Sequence, residues 1–270
     1  TAAASLLAPT RVVGVVGGDF PQEALDFLAQ RGADLSGVER IEDGRSFFWS
    51  GVYDYSLNER ETLDTQLNVF ADFNPVLPES FRDSRYCFLA NIQPQVQRAV
   101  LDQISASCFV LCDTMNLWID TERDALLEVL GRANLVLLND AEARQLADTP
   151  NLQLAAQRIL AWGPDWVVIK KGEYGATLVG ADDMFSIPSY PLPNVVDPTG
   201  AGDSFAGGMV GYLARCDDCT AIASATVEDF SLEGLKRLDL PELAARYQTL
   251  RDLVNFDPMD PDLVAACCSS

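Results

Sequence analysis

Four short runs, "YCFLAN", "CFVLCD", "LVLLND" and "DWVVIKK", recur between residues 86 and 171 and constrain the fold of this chain more than any other feature. Each is a continuous apolar stretch of strand length ending on polar residues, the pattern of a strand buried on both faces. Between them, Pro94–Ile104, Thr121–Gly131 and Asn151–Trp162 carry helical patterning. Strand–helix repetition with unbroken apolar strands implies an α/β fold, a mainly parallel central sheet with helices on both faces.

The flanking segments extend this pattern. "RVVGVVG" (Arg11–Gly17) reads as a further buried strand, and "PQEALDFLAQRG" as a helix with Pro21 at its start and Gly32 past its end. From about residue 38 to 70 the chain changes character. "RSFFWSGVYDY" and "TLDTQLNVF" are aromatic and partly alternating, which predicts a small antiparallel excursion serving as a lid or a dimer surface. "GATLVG" and "DMFSIP" predict a hairpin, Gly202–Ala214 a helix, and Glu242–Val254 a helical tail. The opening "TAAASLLAPT" reads as the middle of an amphipathic helix, so residues 1–270 are expected to be one domain that is incomplete at its N-terminus.

Composition narrows the chemistry. With 40 acidic residues against 19 basic ones the formal net charge is −21. Such a surface repels a nucleic-acid duplex and an anionic membrane, so neither is expected as a partner. No run is long and apolar enough to span a bilayer. The chain has no histidine, which excludes Ser-His-Asp and Cys-His nucleophile systems and His-bearing zinc sites. A general base must then be Asp, Glu, Lys, Tyr or Cys. The seven cysteines are odd in number, and Cys87, Cys108 and Cys112 lie in apolar runs, as free thiols of a reducing cytoplasm do. Cys216, Cys219, Cys267 and Cys268 lack the usual spacing of a four-thiolate zinc site.

Ligands of parallel sheets collect outside the carboxyl ends of the strands. Polar residues fall there repeatedly: Asn91, Asp113 and Asn116, Asn139, and Lys170 with Lys171. Singly, each reads better as a cap or turn former; it is their recurrence at the same end of successive strands that points to a site. "DPTGAGD" (Asp197–Asp203) precedes a run of small residues able to form a closely packed helix. Its backbone N–H groups at Gly200, Ala201 and Gly202 would then sit at a helix N-terminus, where an anion is favoured. The turn lacks the lysine of a Walker A loop and the spacing of G-x-G-x-x-G. On physical grounds alone, Asp203 could equally be a helix N-cap.

"DPTGAGDSFAGG" resembles the C-terminal signature of the ribokinase, or phosphofructokinase-B type, carbohydrate kinase family. "NDAE" (Asn139–Glu142) resembles that family's N-x-x-E motif, "KKGEYG" (Lys170–Gly175) its K-x-G-x-x-G segment, and "VVGVVGGDFP" its early strand and turn. The motifs occur in the family's order and cover the chain up to Leu213. The resemblance implies a three-layer ribokinase-like fold with a β lid, and ATP-dependent phosphorylation of a hydroxyl of a sugar or, as the alternative class, a nucleoside. It implies Asp203 as general base and Gly200, Ala201 and Gly202 as anion hole. Asn139 and Glu142 would hold Mg²⁺ largely through water, and Lys170, Gly172, Gly175 and Thr199 would border ATP. Asp197 would lie near a K⁺ site. Asp113, Asn116 and Asn91 would face the acceptor, although Asp113-x-x-Asn116 departs from the family's D-x-N spacing. A homodimer through the lid is also implied.

Two departures favour a second reading. The first residues already resemble the helix after the family's early "GG" segment, and "ARCDDCTAIASATVEDF" leaves a short connection where relatives have another helix beside the adenine pocket. A noncatalytic or weakly active ligand-binding protein on the same fold is therefore the alternative. A dinucleotide oxidoreductase lacks its strand-linked G-x-G-x-x-G.

Overall fold

In a computed structural model that describes residues 1–53, 60–189 and 197–216, the apolar runs form the strands of one six-stranded sheet. Strands β5 (Tyr86–Leu89), β6 (Phe109–Asp113), β7 (Leu135–Asn139) and β8 (Trp166–Lys170) pair in parallel. Strands β9 (Ala176–Val179) and β10 (Met184–Ile187) continue it antiparallel, giving the order β10-β9-β8-β7-β6-β5. The described residues all fall within one unit, Thr1–Arg237.

Strand alternation sends successive side chains to opposite faces, and the two cores follow it. Val110, Cys112, Val136, Leu138, Val167 and Ile169 pack on one face with helices α3 (Pro94–Leu101), α5 (Arg123–Leu130), α6 (Asp140–Ala147) and α7 (Leu152–Leu160). Leu111, Leu135, Leu137 and Val168 pack on the other with Phe205, Ala206, Met209 and Leu213 of α8 (Ala201–Cys216). That is a helix–sheet–helix sandwich of three layers. The small residues of α8 permit close approach. A Cβ placed on Gly211 would lie 2.9 Å from the Cα of Ala4, so the N-terminal turn rests directly against this helix.

Strand β1 (Arg11–Gly17), α1 (Gln22–Gln30) and β2 (Asp34–Ile41) make a separate parallel β–α–β pair. Here two expectations are corrected. β1 is half-buried along most of its length rather than fully buried, because it pairs with β2 in a two-stranded sheet instead of entering the six-stranded one. The N-terminal residues form a short 3₁₀ turn, Ala4–Leu6, and not a length of amphipathic helix. α1 begins after Pro21 and ends before Gly32, whose φ of +81° suits glycine. β3 (Phe48–Tyr53) and β4 (Arg60–Gln66) form an antiparallel pair with an irregularity at Ser50/Gly51. The hairpin is thus narrower than the 38–70 excursion, since residues up to Ile41 belong to β2.

Two short helices, α2 (Glu79–Arg82) and α4 (Asn116–Thr121), complete the described elements. Among the described residues Cys87, Cys108, Cys112 and Cys216 are free thiols, and no helix is long and apolar enough to cross a membrane. The helical tail expected at Glu242–Val254 lies outside the described residues.

Candidate active site

Asp113, Asn139 and Lys170 are the last residues of three adjacent strands, with Asn139 paired to Lys170 across β7 and β8. Each has the same parity as the residues that meet α8: Leu111 before Asp113, Leu137 before Asn139, Val168 before Lys170. Alternation therefore puts all three at the carboxyl edge of the sheet on the side where α8 begins.

The turn that starts α8 is built by its own sequence. Asp197 accepts a 2.8 Å hydrogen bond from the Thr199 N–H, and this bonding holds its carboxyl below the usual range. Gly200 adopts a φ of +80°, which disfavours any residue with a Cβ. The Ala201 N–H donates to the Pro198 carbonyl at 3.1 Å, and the Ser204 N–H begins the helical ladder on the Gly200 carbonyl at 2.8 Å. Gly202 and Asp203 lie between them, in the first turn, where an N–H has no acceptor within the helix. Asp203 itself is exposed. The Thr199 hydroxyl also donates to the Tyr53 hydroxyl at 3.3 Å, linking the end of β3 to this turn.

Lys170 occupies the gap between the sheet and the turn. Its Nζ lies 3.4 Å from Asp113 Oδ1, and 3.1 Å from where a Cβ on Gly202 would be. Asp113 is 4% exposed; burial pushes its carboxyl up, Lys170 pulls it back, and the charge of Asp203 pushes it up again. The Thr114 N–H donates to the same Oδ1 at 3.0 Å. Gln97, also buried, donates to the carbonyls of Ala90 at 2.9 Å and Asp113 at 3.0 Å, pinning the ends of β5 and β6 together.

Asn139 and Glu142 face each other as a capping box. Asn139 Oδ1 accepts from the Glu142 N–H at 2.7 Å, and Glu142 Oε2 accepts from the Asn139 N–H at 2.8 Å. Asn91 accepts from the Trp118 indole N–H at 3.0 Å, while Asn116 opens α4 exposed. The two are thus apart in role from buried Asp113. The Lys171 N–H donates to the Gly175 carbonyl at 2.7 Å. Gly172 and Gly175 both have positive φ, and a Cβ on Gly175 would lie 2.0 Å from the Ile187 carbonyl oxygen. Sequence reasoning found these positions but not the Asp113–Lys170 pair, Gln97 or the Tyr53–Thr199 contact.

The profile described as pfkB family carbohydrate kinase matches residues 1–228. A cytidine kinase of Thermococcus kodakarensis is 30% identical over 222 residues, covering 80% of this chain and 77% of its own length. Among solved structures, an E. coli protein assigned as ribokinase II, in complex with ATP and Mg²⁺, has a TM-score of 0.74 at 21% identity, covering 92% of this chain and 86% of that one. A Burkholderia thailandensis nucleoside kinase in complex with inosine has a TM-score of 0.72 at 20% identity, covering 95% and 86%. These likenesses show that the chain has the ribokinase-like α/β fold. The chain therefore belongs to the pfkB family of carbohydrate kinases, phosphotransferases that act on hydroxyl groups.

Proposed function

We propose that this chain transfers the γ-phosphoryl group of ATP to a hydroxyl of a nucleoside or sugar, with Asp203 as the general base. The observation that carries the proposal is the turn itself: an exposed carboxylate in the first turn of α8, preceded by Gly200 in a left-handed conformation and by Gly202, against which the Lys170 ammonium lies. A chain without histidine needs another base, and a carboxylate suffices because the acceptor proton becomes acidic only as its oxygen attacks phosphorus. The acceptor oxygen forms its bond to the γ-phosphorus, the bond from that phosphorus to the ADP oxygen breaks, and the acceptor proton passes to Asp203. The N–H groups at the start of α8 and the helix dipole stabilise the charge on the transferred group.

Mg²⁺ bound to the nucleotide would supply positive charge to the phosphates. Glu142 and Asn139 suit an ion that keeps most of its waters, since one carboxylate and one amide, each accepting from the other residue's backbone N–H, stand at the sheet edge. Lys170, Gly172, Gly175 and Thr199 border the nucleotide in this reading, and Asp197 a monovalent cation. Asn91 and Asn116 are left as acceptor contacts. The exposed Phe48, Val52 and Leu63 give the hairpin an apolar surface for covering the acceptor or pairing with a second copy. A reducing, cytoplasmic setting suits the free thiols.

A screen with MgATP against cytidine, adenosine, inosine, ribose and fructose tests the proposal by ADP release. Nucleosides stand first because a relative 30% identical over 80% of this chain is named a cytidine kinase. Turnover that requires one acceptor class supports the kinase. Nucleoside binding by calorimetry without ADP release from any acceptor would favour the noncatalytic alternative.

A further inference from the structure

The phosphoryl-transfer turn, as proposed, brings a polyphosphate up to two carboxylates, Asp203 on the turn and Asp113 beneath it. The acidic surface worsens this: the formal charge is −21, and only three lysines occur in the chain. Two of those three stand together at the end of β8, and one of them, Lys170, reaches Asp113 and lies against Gly202, the residue before Asp203. The geometry is that of a built site. Asp113 is buried and its backbone carbonyl is fixed by Gln97; its Oδ1 is held by the Thr114 N–H at 3.0 Å and meets Lys170 Nζ at 3.4 Å. Gly202 has no side chain, and the ammonium lies where a Cβ would come within 3.1 Å of it.

We propose that Lys170 contacts the transferred phosphoryl group at the Gly202 turn, and that Asp113 is a positioning residue for Lys170, not a ligand of the acceptor. This rests on the kinase reading above and goes beyond it in assigning the contact. An ammonium carries three donors on one atom. Asp113 takes one, which aims the rest at oxygens lodged against the start of α8. Lys170 lends charge while the acceptor proton goes to Asp203. Lys170 in turn compensates buried Asp113 when the nucleotide is absent, since a lone buried charge is strongly unfavourable. Its burial also counts against a direct role with acceptor hydroxyls, and Asn116, three residues on, is exposed instead of beside it.

The test uses Lys170→Met, Asp113→Asn and the double variant, with the acceptor found in the screen. A second arm measures calorimetric binding of the Mg²⁺ complex of AMP-PNP and of ADP. Lys170→Met is expected to lower kcat about 100-fold or more, the scale of losing one oxyanion donor, with acceptor KM nearly unchanged. It is also expected to weaken AMP-PNP binding about 10-fold while sparing ADP, because only the γ-phosphate contact is lost. Asp113→Asn should lower kcat, and the double variant should be no slower than Lys170→Met, since Asp113 acts through Lys170. If Lys170→Met fails to fold, the double variant, with no stranded charge, carries the same kcat and binding measurements.

A large rise in acceptor KM for Asp113→Asn with kcat retained would overturn the proposal and make Asp113 an acceptor ligand. So would losses that multiply in the double variant, or wild-type kcat and wild-type AMP-PNP preference in Lys170→Met. Absence of acceptor-dependent ADP from the wild-type chain contradicts the kinase reading instead, and the binding arm then decides Lys170 by itself.

Discussion

Thr114 follows Asp113 at the sheet edge, and its Oγ1 is buried with no hydrogen-bond partner among the described residues. A hydroxyl in that position costs about 1–3 kcal/mol relative to an apolar group of the same shape. Thr114→Val is therefore expected to be at least as stable as the wild type, by up to about 1 kcal/mol, or about 2–4 °C in Tm for a chain of this size. Thermal denaturation checks it, and a fall in Tm of similar size would mean that the hydroxyl has a partner. Asp197 is the opposite case. Its carboxyl is held below the usual range by Thr199, so its contribution to the turn is present above that range and fades as pH falls through its folded value. At this scale, the sequence shows which residues end the strands but not which of them meet. Asp113 and Asn116 read as a pair because both follow β6. The structure separates them and joins Asp113 to Lys170 on β8, across the intervening β7. That contact depends on strand order and on shared parity, and only the second is visible in a string of residues.

Among the elements, α6 carries two meanings in one motif. "NDAE" suits a magnesium site in a kinase, and the same spacing is a capping box that starts a helix. The two roles separate under substitution. Asn139→Ala should cost about 1 kcal/mol of stability, the usual loss for an N-cap, and Asn139→Asp should restore most of it. Glu142→Gln keeps an acceptor for the Asn139 N–H and so should spare stability, while raising KM for MgATP. Denaturant titration and steady-state kinetics read the two effects independently; an unchanged KM in Glu142→Gln would leave the motif a helix start only. The buried strands β6, β7 and β8 were legible because helices cover both faces of the six-stranded sheet they form. β2 was not, because "DLSGVERI" is a half-exposed strand whose residues alternate without forming an apolar run. β1 was read as buried because its valines look like core, but among the described residues its only strand partner is β2.

For the molecule as a whole, 40 acidic residues against 19 basic ones make the folded state repel itself. Raising salt from about 0.01 M to about 1 M shortens the screening length from about 30 Å to about 3 Å. Tm should rise by a few degrees over that range; a decrease would show that attractive pairs outweigh the net charge. The layered α/β architecture and the position of the turn were readable, since both follow from apolar periodicity and a glycine-rich helix start. The separate β1–β2 pair was not, because nothing local says where a parallel sheet stops. What unites these scales is Asp203, an acid at a helix start that follows Gly202, where Lys170 reaches from the carboxyl edge of the sheet. Its substitution tests the account most directly. With an acceptor that the wild-type chain phosphorylates, Asp203→Asn is expected to lower kcat about 100- to 10,000-fold, the range for losing a general base, while MgATP affinity measured by calorimetry stays near the wild-type value. Wild-type turnover in that variant would contradict the assignment of Asp203 as the base.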